Sequence, residues 1–195
     1  MSITYTNRKG ITYSLCRGAT KTGKPRYYFA RELRDEPVEQ LPEGYRIDES
    51  VNGVVSLTKI RPAQILPAEI AAVEAELRRH PRAHRYRLDV KQERLTVHER
   101  TGPDLDETLA MLQLPIAPPR ERIDALRADM DRRARFTPVL RFILVDPARR
   151  TFRTERMCYL GSIDDWIDVF ASGEIERLAR EVLPRLGTDE FFELW

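Results

Sequence analysis

Gly18-Ala19-Thr20-Lys21-Thr22-Gly23-Lys24 has the spacing of a phosphate-binding loop, in which backbone amides and the final lysine surround phosphate oxygens. Pro25 stands where such a loop needs a Ser or Thr hydroxyl for magnesium, and an aromatic strand follows where a helix is required. The spacing therefore reads as a hairpin turn. His80 and His84 are four apart, which would align two metal ligands on a helix, but Pro81 breaks the helix between them and His98 is distant. The carboxylates of Asp164, Asp165 and Asp168 would suit magnesium or general acid work; behind Ser162 they read more simply as the acidic first turn of a helix. Cys16 and Cys158 fall in strand-like segments as small apolar residues, and no histidine lies near either in sequence to form a nucleophile and base. No catalytic residue, metal or cofactor is assigned; the chain leans to a non-catalytic reading, with an enzyme whose dispersed carboxylates and basic residues converge only in space as the third reading.

The remaining chemistry is that of surfaces. Lys21, Lys24, Arg26 and Arg31 interleave with Tyr27, Tyr28 and Phe29, the mixture that single-stranded nucleic acid favours: cations for phosphates and flat rings for bases. Strand alternation separates Tyr27 and Phe29 from Arg26 and Tyr28, so one face belongs to the core and Lys21, Lys24, Arg26 and Tyr28 remain as contacts. Arg78, Arg79, Arg82, Arg85 and Arg87 form a second basic cluster, of which Arg78, Arg79 and Arg82 would lengthen a phosphate-binding surface. A protein partner or a second copy is the alternative, docking on Trp166, Phe191, Phe192 and Trp195.

The net charge of +2 hides alternating blocks. Residues 1–34 carry +7, 35–76 carry −6, 77–100 carry +5, 101–119 carry −3, 120–156 carry +5 and 157–195 carry −6. Such blocks attract one another within one molecule, so the basic ones are not by themselves a nucleic-acid footprint. Apolar residues at 42% exclude a wholly disordered chain. Apolar runs such as Pro138 to Val145 fall far short of the roughly 20 residues that span a membrane. The N-terminus lacks the apolar core of a secretory signal, and the cytoplasm is the expected compartment.

The elements that must position these residues follow from periodicity. Ile3 and Tyr5, then Ile11, Tyr13 and Leu15, alternate about the turn Asn7-Arg8-Lys9-Gly10, and Arg26 to Ala30 adds a third strand. Tyr45 to Ile47 and Val54 to Leu57 flank Asn52-Gly53 as a second hairpin extending that sheet. Pro67 opens a helix with Ile70, Val73 and Leu77 on one face, and a hairpin of 86–90 with 95–97 follows. A second helix-strand-strand succession places Ile123, Leu126 and Met130 on a helix and Val139–Val145 with Thr151–Tyr159 in a hairpin. Helices are expected over 163–170, with Ile163, Trp166, Ile167 and Phe170 on one side, and over 175–183, ended by Gly187.

The fold class is therefore α+β: antiparallel N-terminal hairpins, two helix-strand-strand units and a C-terminal helical segment. The regions are a β-rich basic part over 1–62, a helix-hairpin unit over 63–100 packing on it, a Pro-rich linker over 101–119 and an α+β domain over 120–195.

The segments Tyr5-Thr6-Asn7-Arg8-Lys9-Gly10, Thr20 to Phe29 and Leu41-Pro42-Glu43-Gly44-Tyr45 together resemble the start of a family of bacterial hypothetical proteins to which no activity is attached. The resemblance implies a bacterial, cytoplasmic protein and transfers no functional residue.

Overall fold

The alternating N-terminal segment forms β1 (Thr4–Thr6), β2 (Thr12–Ala19) and β3 (Pro25–Ala30), hydrogen-bonded in the order β1-β2-β3, with β4 (Glu36–Pro37) also pairing β2. The computed structural model describes residues 2–112, 119–159 and 164–193. The chain is α+β and divides into two compact units, Met1–Arg61 with Gly102–Arg135 and Pro62–Thr101 with Phe136–Trp195. Among the described residues no helix is long and apolar enough to cross a membrane.

In the first unit, Leu15 is the buried centre of β2: its N–H donates to the Ile3 carbonyl and its carbonyl accepts from Val38 N–H, each at 2.9 Å. The second hairpin, β5 (Tyr45–Glu49) and β6 (Val55–Lys59), forms a sheet of its own rather than extending the first. Side chains join them instead. Asn7, 4% exposed, donates from Nδ2 to the Gly53 carbonyl at 2.6 Å, and its Oδ1 accepts from Lys9 N–H at 3.0 Å and Ile11 N–H at 2.9 Å. Glu49 accepts from the Tyr5 hydroxyl at 2.9 Å and from Arg8 N–H at 2.8 Å.

The stretch read as a linker contains α2 (Leu105–Leu112), followed by α3 (Arg120–Arg133); the expected linker residues 113–118 lie outside the described residues. A reciprocal cap starts α2, with Glu107 N–H donating to Asp104 Oδ1 at 2.9 Å and Asp104 N–H to Glu107 Oε2 at 3.0 Å. Arg127 of α3 grips Asp106 of α2 with two bonds, 3.0 and 2.9 Å. Arg8 closes the far end of α3, donating to the carbonyls of Asp131 at 3.2 Å and Ala134 at 2.8 Å, which have no acceptor role left inside the helix.

The second unit is one five-stranded sheet, in the order β11 (Asp164–Gly173), β10 (Thr151–Tyr159), β9 (Arg135–Asp146), β8 (Arg94–Thr101), β7 (Tyr86–Lys91). The strands of both expected helix-strand-strand units thus share a sheet, with 62–101 grouped with 136–195, while α3 is grouped with the N-terminal unit. Backbone bonding decides this, since β8 and β9 are neighbours and Leu144 N–H donates to the Glu93 carbonyl at 2.8 Å.

The helices α1 (Pro67–Arg79) and α4 (Ile175–Val182) supply Val73 and Leu77, and Ile175, Leu178, Ala179 and Val182, to a core completed by Leu95, Val97, Leu140, Phe142 and Phe152. Removing either buried phenylalanine side chain would cost about 3–5 kcal/mol. Buried Glu69 caps α1 by accepting from Leu66 N–H at 2.7 Å and holds Arg150 of the β9–β10 turn, whose Nε donates to it at 2.8 Å.

Residues 164–173 are a strand, not the expected helix. Asp165 and Asp168 accept hydrogen bonds from the backbone N–H groups of Trp166 and Phe170, each at 2.7 Å, a local alternative to helical bonding, and pairing with β10 favours the aromatic and β-branched residues between them. Ser162 and Ile163 of the expected helix lie outside the described residues.

Because Asn7 satisfies a buried carbonyl and two turn amides at once, Asn7→Ala is expected to destabilise the first unit by about 1–3 kcal/mol. Native-state hydrogen exchange should show it as lost protection at Lys9, Ile11 and the β5–β6 hairpin, with the amides of α4 unaffected.

Candidate functional site

The β2–β3 hairpin carries the basic, aromatic residues singled out from sequence. Its turn is closed by Gly23 N–H to the Thr20 carbonyl at 2.9 Å and by Lys24 N–H to Thr20 Oγ1 at 3.1 Å, so the phosphate-loop spacing is realised as a hairpin. Gly18 has a different use. A Cβ there would sit 2.7 Å from Asp35 Oδ2, and its absence leaves room for the Tyr28 hydroxyl to donate to that carboxylate. This bond holds the Tyr28 proton more firmly than usual.

Lys21, Lys24 and Arg26 are exposed and form no ion pair with a described residue. The Arg26 guanidinium lies 5.7 Å from the centroid of the half-buried Tyr28 ring, which thus serves as its platform. Alternation sends Arg17 and Tyr27 to the other face, where they line an open cleft of 740 Å³ with Glu36, Glu39 and Glu43. Arg17 is 3.9 Å from Glu36 there. The hairpin therefore has an acidic side and a basic side, and only the latter suits phosphate.

The second basic cluster is largely committed within its own unit. Arg78 pairs with Glu74 at 3.5 Å and Arg79 with Glu76 along α1. Arg82 donates to the Gly187 carbonyl at 2.8 Å, Arg85 to the Arg100 carbonyl at 3.2 Å, and Arg87 to the Tyr86 carbonyl at 2.8 Å. The expected extension of a phosphate surface through Arg82 is thereby weakened.

The alternative aromatic set is dispersed. Trp166 is half-buried with the Arg141 guanidinium 4.1 Å from its ring centroid. Phe191, 3% exposed, is a core residue and not a contact, because α5 (Asp189–Phe192) turns it into the apolar cluster. Phe192 is 58% exposed, and Trp195 lies outside the described residues.

The histidines are structural rather than paired. His80 is buried; its Nδ1 accepts from Arg82 N–H at 3.1 Å, which makes Nε2 the donor to the Leu186 carbonyl at 3.1 Å. Its ring meets Tyr86 edge-on at 4.9 Å, and burial pushes the Tyr86 hydroxyl up to about 12. His84 is exposed. Among the described residues, no group of three or more His, Cys, Asp or Glu could hold a metal ion. Asp164 and Asp165 are exposed on β11, and Asp168 lies 3.7 Å from Arg153. Phe170, read from sequence as part of a helix face, and Arg185 and Glu193, not singled out there, line a hollow of 460 Å³ and share no motif or spacing.

Burial lowers the proton affinity of both His80 and His98 below the ordinary imidazole value. The unfolded chain then binds more protons below about pH 6.5, so the stability these rings contribute is full above that pH and drains away as pH falls through it. Urea midpoints should be level near pH 8 and fall from about pH 6.5 downward. His80→Gln is expected to be less stable at pH 8 and to show a shallower acid loss, with His98 supplying the remainder.

Comparison of the chain with family models, with curated proteins and with solved structures finds no match.

Proposed function

We propose that this chain is a non-catalytic binding protein that contacts single-stranded nucleic acid through the tip and basic side of the β2–β3 hairpin. The observation that carries the reading is the state of Lys21, Lys24 and Arg26: exposed, on one hairpin and without a carboxylate partner among the described residues. Cations left unanswered in this way hold mobile counterions, and releasing those ions to solution is what drives phosphate binding. Tyr28, fixed by Asp35, has the guanidinium of exposed Arg26 5.7 Å from its ring, and this pair offers flat groups on which a base can stack at little ordering cost. A cytoplasmic setting belongs to the same reading. The protein-docking alternative loses Phe191 to the core and keeps Phe192 as its exposed ring.

Three phosphate contacts to a single strand imply a salt slope of about −2, so raising salt from about 50 to about 200 mM should weaken binding about 20-fold. Fluorescence anisotropy with a labelled oligothymidylate is the direct measurement. Each of Lys21→Ala, Lys24→Ala and Arg26→Ala should lower affinity and reduce the slope by about 0.7, whereas Arg78→Ala should change neither. Undetectable binding at low salt, or a slope indifferent to all three substitutions, would sink the proposal.

A further inference from the structure

Strand β11 contains a distortion that its own pairing does not require. Between the pairs Glu155↔Asp168 and Arg153↔Ser172, β10 advances two positions while β11 advances four, so β11 carries two extra residues. Phe170 stands in this bulge at φ 53°, a left-handed backbone that a bulky side chain rarely adopts, and its ring is 82% exposed. An apolar ring held in strained backbone and turned into water has no evident role in packing. Bulges of this kind re-aim side chains beside sites, and strain of this kind is retained where function uses it.

The ring borders the 460 Å³ hollow formed by β11, α4 and the segment that follows α4. Arg177 and Glu181 of its wall answer each other at 3.4 Å, and Arg177 also donates to the Ser172 carbonyl. A Cβ at Gly173 would collide with the Arg177 guanidinium where it now stands, so the glycine makes that arrangement possible. Arg185 and Glu193 line the same hollow but form no ion pair with each other or with another described residue. The hollow thus presents, among the described residues, one cation and one anion without a partner and one exposed aromatic residue.

We propose that it binds a zwitterion of amino-acid size with an apolar side chain, the carboxylate at Arg185, the ammonium at Glu193 and the side chain against Phe170. A ligand with one charge would leave the other rim group unmatched, and a fully apolar one would leave both. The volume lies in the range of small-molecule sites.

Titration of the ¹⁵N-labelled full chain with L-phenylalanine, followed by amide chemical shifts, tests this. Saturable shifts are expected at Val169 to Gly173 and at Arg185, complete by about 10 mM. N-acetyl-L-phenylalanine, which lacks the ammonium, and L-phenylalaninamide, which lacks the carboxylate, should each bind at least about tenfold more weakly. Arg185→Gln and Glu193→Gln should reproduce those losses with phenylalanine itself. Phe170→Asn, whose side chain tolerates the left-handed backbone, should keep or raise thermal stability while weakening binding. The proposal is overturned by an absence of saturable shifts, by equal binding of the three probes, or by unchanged binding in Phe170→Asn.

Discussion

The N-terminal unit depends on the buried amide of Asn7. Among the described residues of this unit few apolar side chains are fully buried, chiefly Leu15, Cys16 and Leu105, so burial of that hydrocarbon alone does not define its arrangement. Asn7 shapes its own turn with Oδ1 and reaches the Gly53 carbonyl with Nδ2, while neighbouring Arg8 binds Glu49 through its amide and the end of α3 through its guanidinium. One tetrapeptide turn therefore positions two sheets and a helix. Polar groups inside a protein are costly when unmet, and that cost makes such a network specific. The β2–β3 hairpin projects its cations from this frame.

Arginine in this chain acts mainly as a carbonyl and carboxylate clamp. Arg8, Arg82, Arg85 and Arg87 donate to main-chain oxygens, and Arg150 joins Glu69 to the β9–β10 turn. On the face of the large sheet opposite the core, Glu155 pairs with both Arg141 and Arg153, and the Arg141 guanidinium lies against the Trp166 ring. A planar fork with several donors suits these positions better than an ammonium would. The consequence for function is that basic composition overstates the free positive charge. Among the described residues, Lys21, Lys24 and Arg26 are cations without a carboxylate partner gathered on one hairpin, and Arg185 is another beside the β11 hollow.

Strand β11, at one end of its sheet, shows how an edge is managed. Asp165 and Asp168 accept from the N–H groups of Trp166 and Phe170, and the bulge further interrupts the strand. Both devices make the edge a poor template for another strand. The same bulge turns Phe170 outward, so protection of the edge and construction of the hollow share one local distortion.

Sequence alone determined the strands and helices whose period was unambiguous: the N-terminal meander, the helix from Pro67, the hairpins at 86–97 and 139–159, and the helix at 175–182. These are set by alternation, proline and glycine placement over a few residues. Residues 164–173 satisfied a helical face as well as a strand, and only pairing with β10 chose between them. The stretch 101–119 reads as a linker from its prolines, and the reciprocal cap of Asp104 and Glu107 that starts α2 there was not read from the sequence. The exposed hairpin cations were legible because a turn places its residues in water. Tertiary structure alone decided that β8 joins β9, that the arginines near 82 face carbonyls, that Phe191 is core, and that Phe170, Arg185 and Glu193 share a hollow. Those outcomes rest on contacts between residues far apart in the chain, whose energies no local pattern encodes.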